Sequence, residues 1–179
     1  MVALTAAVIA VGLLCLIDLL LSFGVIRRLR QHTELLSNRG GSVDVKVMNL
    51  HPGDAPAAFR ALTTEGDELE GPIGFRLAAF FSSTCSNCPG RVPAFIDYAA
   101  ANHLTRADVL AVVLTEDSEP VPYLDQLAQV ASSCVQPPDG DLATAFGVLG
   151  YPAFCVLDAD GTVQAVSFDP TDLPALVLA

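Results

Sequence analysis

The stretch that decides the fold is Phe75-Arg76-Leu77-Ala78-Ala79-Phe80-Phe81-Ser82-Ser83-Thr84-Cys85-Ser86-Asn87-Cys88, continued by Pro89 to Asn102. From Phe75 to Phe81 the residues are nearly all apolar over the length of one strand, the pattern of a strand covered on both faces of its sheet. Past Cys88 the period changes. Val92, Phe95, Ile96 and Ala99 fall on one face of a helix that runs to Asn102. A buried strand thus passes through a short polar turn into an amphipathic helix, and a C-x-x-C pair sits at the junction.

That position has chemical consequences. Unpaired N–H groups and the dipole at a helix N-terminus stabilise an anion, and can pull a thiol from about 8.5 toward or below neutrality. With Cys85 expected at the helix N-terminus, it is the exposed nucleophile that forms mixed disulfides. Cys88, one turn further in, resolves them by attacking Cys85. Arg91 is placed either to add positive charge near the pair or to point into solvent. Two other readings of the pair stay open. A zinc site needs a second such pair or histidines at ligand spacing, and His32, His51 and His103 are scattered, so no metal is expected. A purely structural disulfide is the other, and the strand-to-helix placement weighs against it. The only redox group expected is the Cys85–Cys88 disulfide itself, with no further cofactor.

The other elements follow outward from this core. Val43 to Met48 alternates as a short strand or extended lead-in, and Pro52-Gly53-Asp54-Ala55-Pro56 is a turn. Phe59 to Leu69 is a small hairpin bent at Gly66. After the helix, Val109 to Leu114 is a second buried strand. Tyr123 to Ala131 and Asp141 to Phe146 are helices, the latter stopped by Gly147. Ala153 to Leu157 is a third buried strand, turned by Asp158-Ala159-Asp160-Gly161 into Thr162 to Phe168. Leu173 to Leu178 is expected to be a last helix on the sheet. Strands alternating with helices and closing on a hairpin indicate an α/β sandwich, a mixed central sheet flanked by helices. Tyr151-Pro152 precedes the third strand, at a position where a proline is tolerated.

Residues 1–26 are apolar apart from Thr5, Asp18 and Ser22, long enough to cross a bilayer core of roughly 30 Å. No basic n-region precedes them and no small-x-small site follows, so they read as an uncleaved transmembrane anchor rather than a signal peptide. Residues 27–42, with Arg27, Arg28 and Arg30 and the break Ser37-Asn38-Arg39-Gly40-Gly41, are a juxtamembrane helix and linker; residues 43–179 are the globular domain. The arginines favour a cytoplasmic domain by the positive-inside rule, whereas a persistent client disulfide belongs outside. Asp18 within the span marks either a partner membrane helix, such as a membrane-embedded redox partner, or a tolerated acid near one interface.

From Gly41 onward five basic residues face 18 acidic ones, a net of −13. A body so acidic repels phosphate backbones, which excludes nucleic acid as a partner. The five cysteines cannot all pair within the chain. Cys15 reads as a small apolar residue of the anchor and Cys155 as a core hydrophobe. Cys134 reads as part of a surface segment, with an additional redox role as its functional alternative.

The C-x-x-C after an apolar strand, Pro93 beyond it, and Tyr151-Pro152 before the next strand resemble the thioredoxin fold. Pro52 to Phe59, and Ala145-Phe146-Gly147-Val148-Leu149-Gly150-Tyr151-Pro152 running into Leu157-Asp158-Ala159-Asp160-Gly161, resemble the membrane-anchored TlpA/ResA group of thiol–disulfide oxidoreductases. Arg28 to Leu36 and Ser83-Thr84 are most similar to the methylamine dehydrogenase accessory protein (MauD) type. The resemblance spans essentially the whole chain. It implies a cis peptide at Tyr151-Pro152 against the disulfide, with Thr84, Ser86, Asn87, Tyr151 and Pro152 lining the place where an extended client binds. It also implies an extracytoplasmic domain that makes or corrects disulfides in a cysteine-containing client protein during its maturation.

This chain departs from that pattern in four places. Thr84 stands where a Trp is usual, and Ala79 where thioredoxins bury a carboxylate that handles the second cysteine's proton. Arg91 stands where some ResA-type proteins have glutamate, and Ala57 and Ala58 both separate Pro56 from Phe59. Without those acids, deprotonation of Cys88 falls to water or to the leaving thiolate. Two alternatives of other classes are a redox-inert scaffold holding a membrane partner through Asp18 and the arginine helix, and a peroxiredoxin-like peroxidase. The first predicts that anchor substitutions matter and cysteine substitutions do not; the second predicts peroxide consumption.

Overall fold

The computed structural model describes Gly12 and residues 46–116, 121 and 123–176. The chain divides into two compact units, Met1–Val45 and Lys46–Ala179, and the elements described belong to the second. Among the described residues no helix is long and apolar enough to cross a membrane. The expected anchor at 1–26 and the juxtamembrane segment at 27–42 lie outside them, Gly12 aside.

The apolar run from Phe75 becomes β3 (Leu77–Ser82), buried at every position. Its neighbours are β4 (Val109–Leu114), parallel to it, and β6 (Ala153–Leu157), antiparallel, and both are likewise buried throughout. β5 (Ser132–Gln136) and β7 (Val163–Ser167) complete a mixed five-stranded sheet in the order β5-β4-β3-β6-β7. β1 (Phe59–Leu62) and β2 (Glu68–Gly71) form a separate antiparallel hairpin. The helices of this unit among the described residues are α1 (Cys88–Ala101), α2 (Leu124–Val130) and α3 (Asp141–Ala145).

Alternation along the central strands sends successive side chains to opposite faces, and each face must then be covered. On one, Phe80 meets Phe146 at 5.0 Å between ring centroids and Phe146 meets Phe59 at 5.8 Å, beneath α3 and the hairpin. On the other, Phe81 packs on Phe95 of α1 at 5.8 Å and on Phe154 of β6 at 5.7 Å. Each fully buried phenylalanine contributes about 1.5–3 kcal/mol of transfer free energy. The fold is α/β with one core on each side of a mixed sheet.

Several expectations need correcting. Of the lead-in Val43 to Met48, residues 43–45 lie outside the described residues. The rest forms only an isolated bridge between Met48 and Val148. The segment from Ser132 is strand β5 rather than surface, and Cys134 is buried in it. The two serines hid this strand from a reading based on apolar runs. The last helix is absent among the described residues. A 3₁₀ turn at Pro170–Asp172 is followed by extended backbone, because Leu173 precedes Pro174 and is driven out of the helical region, to φ −74° and ψ 143°. Gly147 does close α3, with φ +59°, and its missing Cβ admits Asn49, whose Cβ a side chain at 147 would meet at 2.9 Å.

Candidate active site

β3 ends at Ser82, and the chain must reverse toward α1 within a few residues. Ser82 organises that turn. Its carbonyl accepts from the Cys85 N–H at 3.1 Å and from the Tyr123 hydroxyl at 3.1 Å. Its Oγ accepts the Thr84 N–H at 3.3 Å and shares a hydrogen bond with Thr84 Oγ1 at 3.0 Å. The Ser83 N–H donates to Leu114 at the end of β4, at 3.0 Å. Pro89 then occupies the first turn of α1, where its missing N–H costs nothing.

Cys85 and Cys88 form a disulfide across this turn, with Cα atoms 5.4 Å apart. The helix begins at Cys88, so Cys85 precedes it rather than opening it, and the Cys88 N–H donates back to the Cys85 carbonyl at 3.3 Å. The two sulfurs differ in access. Cys85 is half-buried and borders solvent, whereas Cys88 has 0% exposure. Cys88 packs in the core with Ala79, Phe81, Val92, Phe95 and Phe154.

The Tyr151-Pro152 peptide is cis. It brings the Tyr151 carbonyl to 3.6 Å from Cys85 Sγ, so the reduced thiol has an acceptor beside it. Pro152 is buried and Tyr151 half-buried, while Thr84, Ser86 and Asn87 are exposed around the disulfide. The structure thus gathers all seven residues expected at the site around one end of β3 and β6. It also brings in residues that sequence reading missed. Tyr123 supplies the second donor to Ser82; the only signal was that a buried tyrosine needs a partner for its hydroxyl. Burial raises its pKa, so the phenol stays a neutral donor.

The layer behind Cys88 holds no acid. Among the described residues the buried polar side chains are Thr63, Ser82, Asn102 and Ser133. Ala79, paired with Ala111 and Phe154, is sealed in hydrocarbon. Arg91 neither reaches free into solvent nor stands alone. It pairs with Asp169, just past β7, at 2.5 Å.

The remaining described cysteines are free thiols. Cys134 and Cys155 belong to the opposite core from Cys88. Burial pushes the Cys134 thiol up to about 11 and the Cys155 thiol up to about 12. Neither lies at the site. Cys15 falls outside the described residues.

The sheet order, the disulfide at the β3–α1 junction and the cis proline opposite it define a thioredoxin-like fold carrying a vicinal cysteine pair. Solved structures support the fold. The chain is similar to a protein from Chlorobium tepidum described as a thiol:disulfide interchange protein DsbE, at 25% identity over 69% of this chain and 91% of that one, with a TM-score of 0.50. The thioredoxin domain of a thiol-disulfide oxidoreductase from Bacteroides vulgatus superimposes with a TM-score of 0.54 at 17% identity, covering 66% of this chain and 89% of that one. A thio-disulfide isomerase from Thermus thermophilus gives 0.50 at 19% identity, covering 66% and 86%. No protein-family model matches the sequence, and no curated protein matches it.

Proposed function

We propose that the chain is a thiol–disulfide oxidoreductase acting on a cysteine-containing protein client. One observation carries this reading: a disulfide with one sulfur at the surface and one in the core, set against the cis Tyr151-Pro152 peptide. In the reducing direction the Cys85 thiolate attacks one sulfur of a client disulfide, and the client's other sulfur leaves as a thiolate that takes a proton. Cys88 then loses its proton and attacks Cys85 Sγ, which expels the client's second thiolate. The client has gained two electrons and the Cys85–Cys88 disulfide has formed; the reverse sequence donates a disulfide. The difference in access assigns the roles, because an incoming client reaches Cys85 and not Cys88. Tyr151 and Pro152, with Thr84, Ser86 and Asn87, form the surface against which the client's cysteine lies.

The apolar residues 1–26 tether this domain to a membrane in the same proposal, with the domain outside the cytoplasm, where client disulfides persist. The resemblance to the MauD type supports a role in the maturation of a partner enzyme, with electrons exchanged through a membrane-embedded redox partner.

The test is a pair of substitutions. Cys85→Ser is expected to abolish exchange with a model protein disulfide. Cys88→Ser is expected to accumulate a mixed disulfide, visible on a non-reducing gel and cleared by a thiol reductant. Exchange by a Cys85→Ser, Cys88→Ser double variant at the wild-type rate overturns the reading.

A further inference from the structure

We infer that the Arg91–Asp169 ion pair tunes the redox poise of the Cys85–Cys88 couple, each charge opposing the other's effect on the thiolate of the reduced pair. The inference rests on the reading of that couple as the exchanging pair.

Arg91 is the one basic residue of α1. It stands one turn past Cys88, where side chains three apart are neighbours at about 5–6 Å between Cβ atoms. The Arg91 side chain is 38% exposed and that of Asp169 only 14%, so the pair is partly shielded from solvent. Asp169 is held from several sides. Oδ2 takes Arg91, Oδ1 accepts the Thr171 N–H at 3.1 Å and the Thr171 hydroxyl at 2.9 Å, and the Asp169 N–H donates to Ser167 Oγ at 3.0 Å. Two opposite charges are therefore fixed beside the first turn of the helix that carries Cys88.

Several other carboxylates on α1 and on the segments that follow it sit in water. Asp97 on α1, Glu116 past β4 and Asp172 in the 3₁₀ turn are all exposed. The turn from Ser83 to Asn87 and the loop from Gly147 to Pro152 contain no charged residue. With no buried acid behind Cys88, the Arg91–Asp169 pair is the least exposed ion pair among the described residues, and it stands on the helix that carries Cys88.

The reduced couple carries its charge as a thiolate, and stabilising that anion makes the couple more oxidising. A lone cation beside it would do so; a lone anion would do the opposite. In the native pair the two fields oppose one another. Breaking the pair from one side or the other must then move the couple in opposite directions, which a merely structural contact cannot do. The fold gives good grounds for clean variants, because α1 is fastened elsewhere along its length. The Tyr98 hydroxyl donates to the Pro174 carbonyl at 2.5 Å, and Asn102 Oδ1 accepts the Leu176 N–H at 2.7 Å.

The experiment uses the full chain. Equilibrium with glutathione, and the pH dependence of Cys85 alkylation, are measured for wild type, Asp169→Asn, Arg91→Gln and Arg91→Lys. For a partly solvated charge one helical turn along the chain the expected change is about three- to tenfold in the redox equilibrium constant. That is about 14–30 mV at about 30 mV per tenfold for a two-electron couple. Asp169→Asn should make the couple more oxidising and lower the alkylation midpoint. Arg91→Gln should shift both the other way, and Arg91→Lys, which keeps the charge, should stay near wild type. Shifts of the same sign in Asp169→Asn and Arg91→Gln, or shifts below twofold in both, overturn the inference and leave the oxidoreductase reading standing. A wild-type chain that does not exchange with a model protein disulfide overturns that reading and takes this inference with it.

Discussion

Cys85 and Cys88 stand where a buried strand runs out and the chain must turn; Cys134 and Cys155 stand inside strands that continue past them. Both sets sit in one small α/β domain, and three of the four thiols have no exposure at all. What separates them is the end of the sheet. At Ser82 the backbone leaves its ladder partners, so its carbonyl is free to collect the Cys85 N–H and the Tyr123 hydroxyl, and Cys85 is delivered to solvent. In β5 and β6 the ladder is intact around the cysteines, with Cys134 beside Val112 and Cys155 between Ala78 and Val166. Nothing presents them to a partner. Reactivity here is a property of position in the fold, with residue type only the precondition.

The sharpest way to break this comparison is chemical labelling of the reduced, folded protein. Relative to an ordinary thiol at 9.0, one at about 11 has about 100-fold less thiolate at neutral pH, and one at about 12 about 1000-fold less. Cys85 should therefore be alkylated first, with Cys134 and Cys155 modified only on unfolding, as peptide mass spectrometry would show. Modification of Cys134 at the rate of Cys85 would erase the distinction.

A second contrast separates the two cores. Phe80 and Phe81 are adjacent in sequence and equally buried, but Phe80 lies over Phe146 on the sealed face and Phe81 against Phe95 beside Cys88. Truncation of either to Ala should cost about 3–5 kcal/mol in urea unfolding. Only Phe81→Ala should also open Cys88 to alkylation in the folded, reduced protein. Equal labelling of Cys88 in both variants would mean that the two cores are not independent.

How much of this was legible beforehand depends on what each feature rests on. The strands β3, β4 and β6 were readable because burial on both faces leaves an unbroken apolar run, and α1 because its period is that of a helix. The cysteine pair and the Tyr151-Pro152 step were legible as local motifs. β5 was not. An edge strand beginning Ser132-Ser133 has too few apolar residues to announce itself, and it is held in place by pairing with β4, with the Thr64 N–H donating to the Ser133 carbonyl at 2.8 Å. The contacts that complete the site join residues far apart in the chain, Tyr123 with Ser82 and Arg91 with Asp169. Pattern along a sequence carries no record of such pairs. The segment after β7 was misread because Leu173 and Leu176 do face the core, as helix residues would, yet Pro174 between them forbids the helix.

The smallest expected effect tests the turn itself. Tyr123→Phe keeps the ring against Phe81, at 5.8 Å between centroids, and deletes only the hydroxyl that donates to the Ser82 carbonyl. That carbonyl retains the Cys85 N–H as a donor, so it is not orphaned, and the cost should be about 1 kcal/mol in urea unfolding. The same carbonyl anchors the peptide that presents Cys85, so a turn held by one hydrogen bond instead of two should present that sulfur less uniformly. Exchange with a model protein disulfide should fall severalfold while the glutathione equilibrium stays put, because neither charge near the sulfurs has changed. A shift in that equilibrium without a fall in rate would place Tyr123 among the groups that tune the thiolate, and would assign its hydroxyl a role beyond holding the end of β3.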